Sequence, residues 1–173
     1  QLWLKGNGIE YQAFLDFSIA GYQPLKWTNL TPDGNGGFSS TVKASTFCSA
    51  DLAMIRLADV YLMRAECFLH GQGNLTDALE GINFLRLRAG VAPWDEFDEE
   101  SLLDERSREL YFEMTRRSDL IRFGKYVGNG QSIWAWKGNA RNGQRIDRRY
   151  LLMPIPTNIL SAQPSFNQNP GYN

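Results

Sequence analysis

The chain has 173 residues, enough for about one domain with a substantial hydrophobic core. Its composition, 43% hydrophobic and 21% charged, is typical of a globular protein, and the net charge of −1 argues against nucleic-acid binding. No apolar run is long enough for a membrane-spanning helix. The sequence begins with Gln1, without an initiator Met or a signal peptide, so we expect it to be a piece of a longer protein.

The first 49 residues show no periodic pattern beyond the short apolar stretch YQAFLDF, and Gly, Asn, Thr, Ser and aromatic residues are common there. This composition predicts ordered irregular loops. A helix is expected next, beginning at a cap at Ser49 or Asp51 and ending at Gly71. Its apolar residues recur at helical spacing on one face, and they are Ile55, Ala58, Leu62, Ala65 and Leu69. Further large apolar residues along it predict burial on more than one side.

A second helix is predicted over LTDALEGINFLRLRAG, with Thr76 as its N-cap and Gly90 at its end. Its predicted apolar stripe consists of Ala78, Ile82, Leu85 and Ala89. The short linker HGQGNL should fold the first two helices into an antiparallel hairpin. Asp98 is the predicted N-cap of a third helix, because two acids that suit the positive end of the helix dipole follow it. This third helix is expected to run to about Thr115.

A shorter fourth helix is expected in RSDLIRFGKY, with Ser118 or Asp119 near its start. Gly, Asn, Trp and Arg dominate the long loop that follows, and prolines limit the last segment to about one helical turn after Thr157. Paired helices with long aromatic-rich loops predict an all-α protein with tetratricopeptide-like hairpins. We expect three divisions: a loop-rich segment 1–49, a four-helix core 50–128, and a loop with a C-terminal tail 129–173.

The stretch DERSRELYFEMTRRSDLIRFGKY, residues 104–126, mixes acids and arginines with large apolar residues. Glu105, Glu109 and Glu113 are spaced to share one helical face. A glycosidase needs two carboxylates on opposite sides of a bond, and nearby arginines would lower the pKa of these acids, whereas a general acid needs a raised one. We therefore expect a structural ion-pair network rather than catalysis. Its expected members are Glu105, Arg106, Arg108, Glu109, Glu113, Arg117, Asp119 and Arg122.

Other signatures of chemistry are scarce. Two cysteines and one histidine exclude most metal sites, and the sequence has no Gly-rich phosphate loop and no Ser elbow. We expect no metal, no cofactor and no catalytic residue. Cys48 and Cys67 are expected to be separate thiols, since the predicted helix would hold them about 25 Å apart. His70 is expected near a helix C-terminus.

Aromatic residues in the loops are the main candidates for ligand binding. Flat aromatic faces beside amides and guanidinium groups are typical of sugar sites, where rings stack and polar groups bond to hydroxyls. The run SIWAWKGNARNGQR is the strongest cluster, because strand-like spacing would put both of its indoles on one side. The alternative is that these tryptophans are hydrophobic plugs against the helices. The candidate ligand-binding residues are Trp134, Trp136, Trp27, Tyr22 and Arg141.

From about Asp51 onward the order of motifs resembles the C-terminal part of the SusD/RagB family, the outer-membrane glycan-binding lipoproteins. The motifs are MIRLADVYLMRAEC, INFLRLRAGV, the charged stretch, LLMPIP and NQNPGYN. The resemblance implies a helical protein with tetratricopeptide-like hairpins, no enzymatic activity, and a charged stretch that is a fold signature. It also implies that NQNPGYN holds the C-terminus against the domain.

The resemblance further implies capture of glycans, or sometimes peptides, for import through a SusC-type TonB-dependent transporter. The protein would face outward from the outer membrane, held by a lipid anchor upstream of this chain. A second hypothesis is a helical protein-interaction scaffold, or a peptide-binding member, with no sugar contact in this segment. A third is a glycosidase, in which Glu109→Gln would abolish hydrolysis.

Overall fold

The structure is a computed structural model that describes residues 52–172 together with four short strands before them. The strands form two antiparallel ribbons, β1 with β2 and β3 with β4. Leu4 pairs with Gln23 in the first ribbon and Leu30 with Val42 in the second. Strands this short carry no period-two signal, which is why only loops were predicted here. Their bounds are β1 (Trp3–Lys5), β2 (Tyr22–Pro24), β3 (Leu30–Pro32) and β4 (Phe38–Val42).

The chain divides into two compact units, Gln1–Glu96 and Phe97–Asn173. Residues 52–172 contain helices, turns and loops but no strand, so the predicted helical class is confirmed there. The predicted divisions at residues 49 and 128 stay a prediction. The α-helices are α1 (Leu57–Leu69), α2 (Leu75–Arg88), α3 (Glu99–Glu109), α4 (Arg116–Arg122) and α5 (Thr157–Ala162), and two 3₁₀ helices span Lys137–Asn139 and Arg148–Leu151.

α1 begins later than predicted. Arg56 precedes it in an extended conformation, with no side-chain cap, and the proposed caps Ser49 and Asp51 lie outside the described residues. Ile55 therefore lies before the helix and is 71% exposed. It does not share a buried helical face with Ala58, as its spacing predicted. Burial on more than one side was also wrong, because large apolar residues of α1 remain exposed, namely Leu57, Val60 and Met63.

α1 and α2 pack together as a helical hairpin. Leu62 and Ala65 of α1 are fully buried, as are Ile82 and Leu85 of α2, which agrees with the predicted apolar stripes. Each fully buried large aliphatic side chain stabilises the fold by about 1.5–3 kcal/mol. Gly81 permits the close crossing, since a Cβ there would lie 3.1 Å from Cβ of Tyr61.

The start of α2 is capped by Asn74 instead of Thr76. The Asn74 side-chain oxygen accepts a hydrogen bond of 2.9 Å from the backbone N–H of Asp77, which satisfies a donor that the helix leaves unpaired. Thr76 is already the second residue of the helix. The end is as predicted: Gly90 has a φ of +74°, a conformation that glycine adopts without strain.

α3 begins as predicted but ends early. Asp98 caps it, and Ser101 completes a reciprocal capping box. The helix stops at Glu109 rather than near Thr115, because Phe112 and Met114 have left-handed backbone conformations that cannot continue it. Glu113 therefore does not extend the helical face of Glu105 and Glu109, which the spacing predicted.

The capping box gives α3 a testable pH dependence. Two hydrogen bonds from Ser101 lower the pKa of Asp98 below its usual 3.8. The larger effect comes from the Ser101 hydroxyl and the smaller from its backbone N–H. The stabilisation by the carboxylate is therefore complete above pH 3.8 and is lost as the pH falls through the pKa of the folded state. Asp98→Ala should lower the urea midpoint at pH 7, whereas Asp98→Asn should retain most of the cap.

The measurement is urea unfolding of both variants between pH 7 and pH 3, with the exposed Asp95→Ala as the control. The advantage of the native protein over Asp98→Asn should shrink at the acid end of this series. A constant difference across the whole range would contradict a carboxylate cap.

α4 follows directly after Thr115, so Ser118 and Asp119 lie inside it rather than before it. α5 is the single short helix predicted after Thr157.

His70 is the C-cap of α1, as predicted. The thiol of Cys67 is exposed and not in a disulfide, while Cys48 lies outside the described residues. In the part of the chain that the structure describes, no helix combines the length and the apolar character needed to cross a membrane.

Candidate functional site

A buried ion pair joins α3 to α4. Nε of Arg106 lies 3.0 Å from a carboxylate oxygen of Asp119, and these side chains are only 3% and 2% exposed. The other oxygen of Asp119 lies 3.1 Å from Nη2 of Arg122. Glu105 is also buried and accepts two hydrogen bonds from Arg108, at 2.8 and 3.0 Å. These acids are thus engaged by arginines within and between helices.

Arg117 has another role than the ion pair expected of it. Its Nη2 donates hydrogen bonds to the carbonyl oxygens of Tyr150 and Leu151, at 2.8 and 3.1 Å. Its guanidinium group also lies 5.2 Å from the centre of the Tyr126 ring. Arg117 therefore ties α4 to the second 3₁₀ helix through backbone groups.

An open cleft of about 720 Å³ lies on the cleft loop, which we define as residues 127–147, and on the start of the following 3₁₀ helix. Four aromatic residues, two amides and four charged residues contribute to its wall. The lining residues are Tyr126, Trp134, Trp136, Lys137, Gly138, Asn139, Gln144, Arg145, Ile146, Asp147, Arg149 and Tyr150.

Trp134 and Trp136 share this cleft, but not through the predicted strand. Trp134 is 44% exposed, and Trp136 has a left-handed backbone with φ +69° at the start of the first 3₁₀ helix. A tight turn therefore brings both indoles to one surface. Arg141 does not line the cleft, and the side chains of Trp27 and Tyr22 lie outside the described residues.

Backbone contacts hold the cleft loop in shape. The N–H of Trp136 donates to the carbonyl of Ala140 at 3.0 Å, and the N–H of Gln144 donates to that of Lys137 at 2.9 Å. Gly143 has φ +72°, and a Cβ there would overlap the carbonyl oxygen of Trp134. Only glycine allows the two sides of the loop to approach this closely.

Lys137 is buried beneath the loop. Its ammonium group donates to the carbonyl oxygens of Tyr126 and Ser132, at 3.0 and 2.6 Å, and lies 4.6 Å from the centre of the Trp134 ring. Burial lowers the pKa of Lys137, and the positive charge of Arg145 lowers it further. Lys137 thus holds the base of the cleft in place, although removing its charge from water costs free energy.

Gln131 is a second buried polar residue of the loop. Its side-chain oxygen accepts from the N–H of Ile146 at 3.0 Å, and its amide donates to the carbonyl of Gly128 at 2.8 Å. Sequence reasoning missed both Gln131 and Lys137, because polar residues in a glycine-rich loop are ordinarily exposed.

The segment NQNPGYN contacts the wall of the cleft. The hydroxyl of Tyr172 donates to the carbonyls of Arg149 and Leu152, and Arg149 donates to the carbonyl of Gly171 at 3.1 Å. The Tyr172 ring meets that of Tyr150 edge to face, with 6.5 Å between centres. Earlier in the segment, Gln168 bonds to both backbone groups of Ile155. These contacts hold the segment against residues 149–155.

The described residues offer little for metal chemistry. No group of three or more His, Cys, Asp or Glu side chains among them is placed to hold a metal ion. What the cleft supplies is flat aromatic surface beside amides and guanidinium groups. This combination suits a ligand with both apolar faces and hydroxyl groups.

Comparisons with known proteins agree with the helical fold. The model of the SusD family matches residues 6–172. The chain is 38% identical over 153 residues to the starch-binding protein SusD of Bacteroides thetaiotaomicron, covering 88% of this chain and 26% of that protein. It is 34% identical over 166 residues to the SusD-like protein P25 of Formosa agariphila, covering 87% and 28%.

Solved structures give the same result. Surface glycan-binding protein A from Bacteroides uniformis matches with a TM-score of 0.58 and 26% identity, over 68% of this chain and 27% of its own. A SusD superfamily protein from Parabacteroides distasonis matches with a TM-score of 0.53 and 29% identity, over 66% and 26%. The chain thus spans about a quarter of the length of these relatives.

Proposed function

Because the chain belongs to the SusD family, we propose that it takes part in non-enzymatic capture of oligosaccharides or polysaccharides at the cell surface. The captured glycan would then be imported through a SusC-type TonB-dependent transporter. In this proposal the protein faces outward from the outer membrane and is anchored by a lipid upstream of this chain. The relatives named for starch binding and surface glycan binding support the ligand class.

The observation that carries the proposal is the cleft itself. Trp134 and Trp136 both line it, beside the amide-bearing residues Asn139 and Gln144. Indole faces pack on the C–H faces of sugar rings, while amides exchange hydrogen bonds with ring hydroxyls. An open cleft also suits a polymer, because a long chain can pass through it without being enclosed.

The acids of the charged stretch favour binding without hydrolysis. Glu105 is buried and bonded to Arg108, so it is not available to a substrate. Glu113 lies beyond the end of α3, so the predicted row of three carboxylates does not form. A glycosidase would require hydrolysis that Glu109→Gln abolishes, and we expect no such activity in the native protein.

The test is native affinity electrophoresis of the full-length protein through gels that contain soluble polysaccharides. We expect one or more polysaccharides to retard the native protein, and Trp134→Ala and Trp136→Ala to weaken that binding by about tenfold or more. Trp94→Ala serves as the matched control, because Trp94 stacks on Arg86 and does not line the cleft. Retardation that survives both cleft substitutions would contradict a glycan site here.

A protein-interaction scaffold is the second candidate, and exposed apolar residues favour it. Leu152, Met153 and Phe166 lie beyond the cleft loop with more than half of their surface exposed. A partner protein, such as the transporter, could cover them, or a peptide could be the ligand. This hypothesis predicts that replacing Trp134 and Trp136 leaves glycan retention intact but weakens the complex with the transporter.

A further inference from the structure

The cleft carries an excess of positive charge. Three cationic side chains, those of Lys137, Arg145 and Arg149, line it, against the single carboxylate of Asp147. Among residues 52–172, no ion pair joins any of these three cations to a carboxylate. The cleft therefore presents more positive charge to an entering ligand than its own acid can balance.

Asp147 is already engaged. One of its carboxylate oxygens accepts a hydrogen bond of 2.8 Å from the backbone N–H of Arg149, where it caps the second 3₁₀ helix. The side chain of Asp147 thus balances the partial positive charge of a helix start in addition to its neighbouring arginine. Asp147 thus acts mainly on its neighbour Arg149, and Arg145 has little local compensation.

The two arginines are differently held. Arg145 is exposed, and its guanidinium group has a single long hydrogen bond, 3.3 Å to the side-chain oxygen of Asn129. Arg149 bonds to the carbonyl of Gly171 and the hydroxyl of Tyr150 and lies over the Tyr150 ring. Arg145 can therefore turn toward a ligand, while Arg149 is a fixed charge beside an aromatic face.

The charges also act on one another. Burial first, and then the positive charge of Arg145, lower the pKa of Lys137, because a like charge nearby disfavours the ammonium form. A negatively charged group in the cleft would offset this repulsion. It would also form charge-assisted hydrogen bonds, which are stronger than those between neutral groups.

We propose that the cleft binds an acidic glycan, one whose sugar rings carry carboxylate or sulfate groups. The proposal rests on the proposed function and specifies its ligand class. Trp134 and Trp136 stack on the rings, as they would on a neutral sugar. Arg145 binds the acidic substituent, because a guanidinium fork matches the paired oxygens of carboxylate and sulfate. Arg149, whose two Nη atoms already bond to Gly171 and Tyr150, adds a fixed positive charge beside it.

The experiment compares each acidic polysaccharide with a neutral form of the same backbone. Affinity electrophoresis of the full-length protein is run with a polyuronate and its carboxyl-reduced form, and with a sulfated polysaccharide and its desulfated form. At low salt we expect stronger retardation by one acidic form than by its neutral partner. Added salt should reduce this difference, because it screens exposed charges. The pair that shows the effect distinguishes carboxylate from sulfate.

Arg145→Gln should weaken binding of the acidic form about threefold to tenfold and weaken binding of its neutral partner by a clearly smaller factor. Arg148→Gln is the matched control, because Arg148 is an exposed arginine nearby that does not line this cleft. Arg149→Lys keeps the positive charge and should retain the preference for the acidic form.

The outcomes separate the two proposals. Equal retardation by acidic and neutral forms, lost in Trp134→Ala and unaffected by Arg145→Gln, would overturn the acidic ligand and leave glycan capture standing. A preference for acidic forms that Arg145→Gln and Arg148→Gln reduce alike would also overturn this site, since it would reflect general surface charge. Retardation by none of the polysaccharides would overturn glycan capture together with it.

Discussion

Asp119→Ala should lower the free energy of unfolding by about 3–5 kcal/mol, because it removes the acid from a buried ion pair. The carboxylate of Asp119 lies 3.0 Å from Arg106 and 3.1 Å from Arg122, and it is 2% exposed. Alanine would leave the buried guanidinium group of Arg106 without this counter-charge. The desolvation penalty of the buried Arg106 charge would then no longer be offset, and the folded state would be destabilised.

Urea unfolding at pH 7 measures this cost. Asp104→Ala is the control, because Asp104 is an exposed acid of α3, and it should change the unfolding free energy by less than about 0.5 kcal/mol. The double variant Arg106→Met with Asp119→Leu should recover much of the loss, since it removes both buried charges. A loss in Asp119→Ala no larger than in the control would show that the pair does not hold α3 to α4.

Gly143→Ala should disable the cleft as well as destabilise the protein. Its Cβ would overlap the carbonyl oxygen of Trp134 and lie 2.7 Å from Cγ2 of Ile133, so the loop would have to open. We expect the free energy of unfolding to fall by about 3 kcal/mol or more, because the added Cβ overlaps its neighbours and the left-handed backbone disfavours alanine. Because Trp134 would move, binding of any polysaccharide that retards the native protein should be lost.

Gly128→Ala separates these two causes. Gly128 has a similar backbone, with φ +80°, but nothing lies within 4 Å of a Cβ built on it. Gly128→Ala should lower the free energy of unfolding by only about 1–2 kcal/mol, and the variant should keep its affinity for glycan. Urea unfolding and affinity electrophoresis of both variants provide the comparison. Equal effects of the two substitutions would show that close packing against Trp134 is unimportant.

The features that sequence predicted well are local ones. Asp98 and Ser101 are three residues apart, so their capping box depends on one turn of chain. The buried faces of α1 and α2 follow from spacing, as Leu62 and Ile82 show. The SusD resemblance also rested on contiguous motifs, and the family match confirms it.

The features that sequence did not predict depend on tertiary contacts. Phe112 and Met114 end α3 with left-handed backbones, although neither residue favours that conformation. The burial of Lys137 arises because the loop folds back so that the carbonyls of Tyr126 and Ser132, 11 and 5 residues before it, both meet its ammonium group. The cleft could be anticipated only as a cluster of tryptophans, since the turn that brings them together has no periodic signature.

The way the cleft loop is held has a consequence for how ligand preference can change. Lys137, Gln131 and Gly143 set the shape of the loop through backbone groups, whatever side chains stand elsewhere on it. Arg145 lines the cleft, and its one side-chain hydrogen bond is the long one to Asn129, so it lies outside that support. Related chains could therefore exchange the residue at this position, and so recognise different sugars, while the loop keeps its path.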